Sequence, residues 1–379
     1  MVIHQKKFFQ VRKCCCVYFF LFCLLFSTCA YATPLYDNAK EVFDEVDGEK
    51  DKLVLSFVGD CTIGQVPFML TDPDSILTYI DTNGYDYPFK KVHHILADDD
   101  LTIANFEGVF HETNSGRVKK TYNFRAPSHY VQTLKEGSVE IVSLGNNHIE
   151  DFGPKGYNAT IKTMDSASIS WFVHCNHGNT SYLYEQGDVK IGFLSATLPM
   201  VWMKKNIIKA DIEELRNQGA DVVIFCFHGG REYAPRHITN QANHANRLIG
   251  YGADILIGTH PHCLQGYEVI DGAPIYYSLG NFVFGGNTKM RTKYTAILQF
   301  ALSFDDEGEY MGYQTNILPC RLSTDETMNL YQPYPIDGEE AVEAIQLIQD
   351  DTTPSYPILD YQEGIGALQP FVPAVSNRP

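Results

Sequence analysis

The chain has 379 residues, 44% hydrophobic and 20% charged, with a formal net charge of −17. That is enough apolar material for one large core, or for one domain with appendages. So acidic a surface excludes nucleic acid as a natural partner, and a polyanion would need metal ions or local basic residues to approach it. Of ten cysteines, five lie within residues 1–32, and the others are Cys61, Cys175, Cys226, Cys263 and Cys320. An odd, scattered set without a CxxC pair is neither a disulfide framework nor a zinc–thiolate site. Cys61, Cys226 and Cys263 read as small fillers beside strand ends.

At the N-terminus, Lys6, Lys7, Arg12 and Lys13 precede an uncharged, mostly apolar run over 14–32 that ends in Ala30-Tyr31-Ala32. This is the form of a secretory signal, and it predicts a mature chain starting at Thr33 outside the cytoplasmic membrane. The run is also close to the length of a membrane span, so an uncleaved anchor is the rival reading. Cys29 fits a lipoprotein signal poorly. Residues 33–52 are polar and acidic and predict a tether between membrane and domain.

From residue 53 the pattern changes. Short apolar runs at 53–58, 101–106, 139–144, 221–227 and 253–258 predict strands, and 156–167, 207–218 and 240–250 predict helices. The last two helices each run into Gly-Ala-Asp and then an apolar strand, which places glycine at the helix C-cap. Strands that are apolar throughout, between helices, argue for sheets buried on both faces. Further strands are expected at 275–284 and 294–304. Residues 53–322 form the expected domain. The Pro- and Tyr-rich remainder, 323–379, is expected as an extension packed on the surface, with one helix at 338–348.

Each strand ends in a group that can bind a metal. The runs lead into Asp60, into Asn105 and Glu107, into Asn146, Asn147 and His148, into His228, and into His260 and His262. In open α/β sheets, ligands gather at the carboxyl ends of strands. Carboxylate, amide and imidazole without thiolate suit two hard or borderline divalent ions such as Mn²⁺, Zn²⁺ or Fe²⁺. Taken singly, each group has a plainer reading: a structural histidine, a helix N-cap or a turn. The same placement five times in order is what points to one cleft.

The ordered series Phe57-Val58-Gly59-Asp60, Ala104-Asn105-Phe106-Glu107-Gly108, 143–153 (SLGNNHIEDFG), His228-Gly229-Gly230-Arg231-Glu232-Tyr233, 258–265 (GTHPHCLQ) and Tyr277-Ser278-Leu279-Gly280-Asn281-Phe282 resembles the CapA family. The resemblance runs from about residue 53 to 284. It implies a fold similar to calcineurin-like metallophosphoesterases: an α/β-β/α sandwich of two facing mixed sheets flanked by helices. It also implies a part in making or exporting a γ-linked glutamate polymer at the cell surface, beside membrane capsule-synthase subunits. By the same resemblance Asp60 would bind a first metal and Glu107 would bridge. Asn147 and His228 would hold the second, His260 and His262 would complete the pair, and His148 would be the general acid. Two departures stand out: Thr62 occupies the position where such phosphoesterases carry a histidine, and Glu107 replaces their aspartate.

Arg125 is a candidate for meeting an anionic substrate, or else a structural ion pair. Asn105 and Arg231 are further candidates, with Arg231 and Glu232 also placed to orient His228. The hydrolase reading has two metals activating a water against a phosphoester or an amide. The competing reading is a non-catalytic capsule-assembly subunit.

Overall fold

In the computed structural model the chain divides into two units, Met1–Thr33 and Pro34–Pro379. The residues described are 35–36, 40–43, 51–353 and 359–375, all in the second unit. The expected export segment, 1–32, lies outside them. Among the described residues no helix is long and apolar enough to cross a membrane.

In chain order the elements that frame the site are β1 (Asp51–Thr62), β2 (Leu101–Phe106), β3 (Ile141–Ser143), α1 (Gly153–Ala167), β4 (Ser170–His174), β5 (Val189–Thr197), α2 (Leu198–Met203), α3 (Lys205–Asn217), β6 (Val222–His228), α4 (Thr239–Ile249), β7 (Ile255–Thr259), β8 (Ala273–Tyr276), β9 (Asn281–Phe284), β10 (Tyr294–Phe304), β11 (Tyr310–Arg321) and α5 (Gly338–Gln349). The strand expected over 275–284 is thus two, interrupted at 277–280.

The sheet has two halves. One runs β11–β10–β1–β2–β3–β4, parallel from β1 to β4 and antiparallel at β10 and β11. The other runs β4–β5–β6–β7–β8, all parallel. The only pairing between β4 and β5 is His174 with Ala196, so the sheet folds over at that strand.

Strand periodicity explains the layers, because successive side chains point to opposite faces. In β6, Val222, Ile224 and Cys226 join a core with Leu55, Phe57, Ile103, Leu298 and Phe300 of the other half. Val223, Phe225 and Phe227 instead pack against Ile208, Ile212 and Leu215 of α3 and Leu248 of α4. Ile208, Ile212 and Leu215 recur at helical spacing, which gives α3 one apolar stripe. On the far side, Val58, Ala104 and Val142 pack with Ile76, Ile80, Phe89 and Met164. The result is the α/β-β/α sandwich, with one apolar core between the two half-sheets. Tyr276 ties them together, donating its hydroxyl to Thr315 at 3.0 Å.

Described residues on either side of 53–322 also pack into the domain's cores. Tyr36 and Phe43 are both buried, and the Tyr36 hydroxyl donates to the Ile336 carbonyl at 2.7 Å. Helix α5 sends Ala341, Ala344, Ile345 and Ile348 into the central core. The apolar residues at helical spacing in 341–348 need a partner, and the open face of the first half-sheet supplies it.

Candidate metal centre

Parallel register brings the strand ends together. Asp60 is opposite Asn105 and Asn281, Asn105 is opposite Ser143, and His228 is opposite Thr259. Approach at β1 is close. A Cβ on Gly59 would lie 2.0 Å from the Gly280 carbonyl oxygen, so only glycine fits, and Asp60 N–H donates to that oxygen at 2.9 Å. The Cβ of a residue at 258 would likewise meet the Tyr277 carbonyl at 2.2 Å. His260 and His262 have φ of 99° and 58°, a region that side chains other than glycine rarely occupy. Such strain persists where the surroundings over-determine it, and it clusters at functional sites.

Asp60, Glu107 and His262 are all buried, and each offers one atom within 4.8 Å of the others, a group able to hold a metal ion. Nδ1 of His262 is 3.0 Å from Asp60 Oδ2 and 2.8 Å from Asn281 Oδ1. Both carboxylate oxygens of Glu107 are buried with no hydrogen-bond donor. A buried carboxylate without a hydrogen-bond donor is costly, so this unmet acceptor is the feature a cation would satisfy.

Beside it, Nε2 of His228 lies 3.0 Å from Asn147 Oδ1, 3.1 Å from His260 Nδ1 and 3.9 Å from Glu107 Oε1. Its Nδ1 faces Thr259 Oγ1 at 2.9 Å, which orients the ring. Asn105 donates to Asp60 Oδ1 at 2.7 Å and accepts from Asn146, which also holds the Phe106 carbonyl. Asn105 therefore positions the aspartate. The donor set is oxygen and imidazole nitrogen, which suits a metal ion.

The electrostatics follow from burial. Burial and the neighbouring Asp60 push the Glu107 carboxyl well above its usual range. Burial also opposes charging of His262, yet Glu107 and Asp60 outweigh it and raise the imidazole to about 9. Burial and the adjacent His262 lower His260 to about 4, and burial and His260 push His228 well down. Neutral imidazoles are the form that ligates metal.

His148 stands apart from this set. Its Nδ1 pairs with Asp151 at 2.7 Å, and its Nε2 faces Glu107 Oε1 at 3.5 Å. Lys120 reaches Asp151 at 2.9 Å and the Asn147 carbonyl at 2.8 Å. Burial lowers the His148 imidazole, with Asp151 opposing. Asn147 meets His228 while His148 meets Asp151 and Glu107, so the two adjacent side chains reach different groups of one cluster. Lys120 and Thr259 carried no signal in the sequence, because one lies in a loop and the other ends a strand like any β-branched residue.

Arg125 is placed elsewhere. Its guanidinium donates to Asn114 Oδ1 at 2.8 Å and to the His111 carbonyl at 3.1 Å, bracing the 111–114 loop. Arg231 is exposed. Thr62 is buried with its hydroxyl unpartnered, so no second imidazole stands at that position. The five cysteines among the described residues are free and buried, and burial pushes the Cys61 thiol up to about 12, which leaves it inert. A cavity of about 370 Å³ adjoins the cluster, lined by Asn147, His174, Leu198, Met200, His228 and His260.

Fold and site together define an α/β-β/α sandwich protein with a buried carboxylate–imidazole centre at its strand ends. Residues 54–286, more than half of the chain, match the family described as bacterial capsule synthesis protein PGA_cap, and the chain belongs to that family. It is 29% identical over 278 residues to the capsule biosynthesis protein CapA of Bacillus anthracis, covering 67% of this chain and 65% of that protein. The chain thus spans just under two thirds of that relative. To the PGA biosynthesis protein CapA of Bacillus subtilis (strain 168) it is also 29% identical, covering 69% of this chain and 70% of the relative. Among solved structures it is similar to a phosphatase of Mycoplasma pneumoniae, with 14% identity, a TM-score of 0.40, and coverage of 72% of this chain and 95% of that one. It is also similar to the purple acid phosphatase PPD1 of yellow lupin (Lupinus luteus), with 11% identity, a TM-score of 0.37, and coverage of 83% and 58%. Overlap this partial carries none of their chemistry over.

Proposed function

We propose that this is a CapA-like protein acting at the extracytoplasmic face of the cell membrane in the synthesis or export of capsular poly-γ-glutamate. Its strand-end cluster would hold up to two divalent ions. Asp60, Glu107 and His262 form one site, and Glu107, Asn147, His228 and His260 form the other. The observation that carries this is Glu107, buried with both carboxylate oxygens unmet by any donor. Membership of the capsule family supports the polymer, and the family's place in capsule synthesis supports membrane synthase subunits as partners.

The reaction class is metal-dependent hydrolysis of an ester or amide linkage of the polymer or its precursors. Divalent ions held there supply an acidified water and charge stabilisation for the attacked group. The rest is the work of the chain's own side chains. Asp151 fixes the ring of His148 through Nδ1, so Nε2 is the atom directed at the cluster. From there it can give a proton to a leaving group. Lys120 holds Asp151 in turn.

The test is metal content, by elemental analysis, alongside turnover of a generic phosphodiester and of γ-glutamyl oligomers. Up to two ions per chain and turnover of one substrate are expected. Protein that takes up no Mn²⁺ or Zn²⁺ overturns the metal centre. Protein that holds metal, turns over nothing and still supports capsule formation is an assembly subunit.

A further inference from the structure

Arg125, expected to meet an anionic substrate, is occupied in bracing the 111–114 loop. We propose that Arg291, seated on the ring of Tyr233, binds the anionic group of the substrate at the rim of the metal centre. This rests on the metal-centre reading above and names the substrate side of it: an oxyanion-bearing molecule, carboxylate or phosphate.

Three observations place Arg291 there. Its guanidinium carbon lies 3.7 Å from the centroid of the Tyr233 ring, within cation–π range, and a guanidinium has five N–H donors, more than its contact with Tyr233 uses. The Tyr233 ring is itself 5.6 Å from the ring of His262. The next residue, Thr292, donates its hydroxyl to the carbonyl of His262 at 3.0 Å, which anchors this segment to the metal-ligand loop.

The platform is built rather than incidental. Tyr233 has φ of 55°, its N–H donates to the Pro261 carbonyl at 2.7 Å, and its hydroxyl accepts from Asn287 Nδ2 at 2.9 Å. Pro261 lies between the two histidines, so the same loop positions ligands and platform. Arg291 is exposed, and among the described residues it forms no ion pair, whereas nearby Lys293 is 3.7 Å from Glu326. In a chain of net charge −17, an exposed cation with no acidic partner among the described residues is suited to receive an anion.

The experiment measures binding of inorganic phosphate and of a short γ-linked glutamate oligomer to the Mn²⁺-loaded full chain by calorimetry, with Arg291→Gln and Arg291→Lys. Arg291→Gln is expected to weaken binding about tenfold, the order of one charge-assisted contact. Arg291→Lys should recover part of the loss, since a point charge replaces the fork. Mn²⁺ affinity and melting temperature should stay at wild-type values. Loss confined to the oligomer identifies a carboxylate substrate, and loss confined to phosphate identifies a phosphoester. Unchanged affinity for both probes in Arg291→Gln, or wild-type protein that holds Mn²⁺ and binds neither probe, overturns the assignment while the metal centre stands. Failure to take up Mn²⁺ overturns the metal reading instead, and probe binding to the metal-free chain then decides Arg291 separately.

Discussion

His148 and Glu107 face each other across 3.5 Å, Nε2 to Oε1, while the other ring nitrogen of His148 is held by Asp151. The histidine is therefore fixed from behind and directed at the carboxylate cluster without being needed to complete it. Replacing His148 by alanine should lower any hydrolytic rate about 10²–10⁴-fold, the usual worth of a positioned acid–base group. Metal content should hold. Elemental analysis showing that His148→Ala strips the ions would move His148 into the ligand set.

Glu107 should couple metal to stability. A ligand that binds only the folded state adds about 2.7 kcal/mol at a hundred times its Kd. Wild-type protein is thus expected to melt several degrees higher with Mn²⁺ than after chelation. Glu107→Gln keeps the shape but loses the charge that both sites share, so most of that increment should vanish. Calorimetric scans with and without chelator read the difference, and an increment of wild-type size in Glu107→Gln would remove Glu107 from the centre.

Asp99 should shape the pH dependence of stability. Burial raises its carboxyl to about 7, against the lowering effect of Ser56 and Thr102, whose hydroxyl donates to it at 2.7 Å. An unfolded aspartate titrates near pH ~3.9. The folded state therefore holds this proton more tightly than the unfolded chain. The stabilisation is complete below about pH 4 and is lost as pH rises through about 7. Asp99→Asn should flatten that part of the curve, its melting temperature gaining on the wild type between pH 4 and 7 and running parallel above. Parallel curves throughout would show that Asp99 ionises normally.

Phe43 tests whether the segment before β1 belongs to the domain. Its side chain is fully buried with Val54 and Ala301, and its carbonyl accepts from Lys52. Phe43→Ala should destabilise the protein by about 3–4 kcal/mol, as truncation of a buried aromatic does. A denaturation midpoint equal to wild type would favour the tether reading for 33–52.

Much of this was legible in the sequence, for a physical reason. The continuous apolar runs of β1, β2 and β6 and the helical spacing of α3 and α4 are local patterns, and so is the placement of Asp60, Glu107, His148, His228, His260 and His262 at the ends of apolar runs. Parallel strands share one polarity, so a repeated strand-end signal already implies one edge. Tertiary structure alone decided which of these groups meet. It turned Arg125 onto the 111–114 loop, set Lys120 behind Asp151, stacked Arg291 on Tyr233, and drew Tyr36, Phe43 and α5 into the cores. Those contacts join residues far apart in the chain through loops whose paths carry no periodicity. Long flexible cations and isolated aromatics give no local sign of the partner they will find, so packing fixes them and the linear pattern does not.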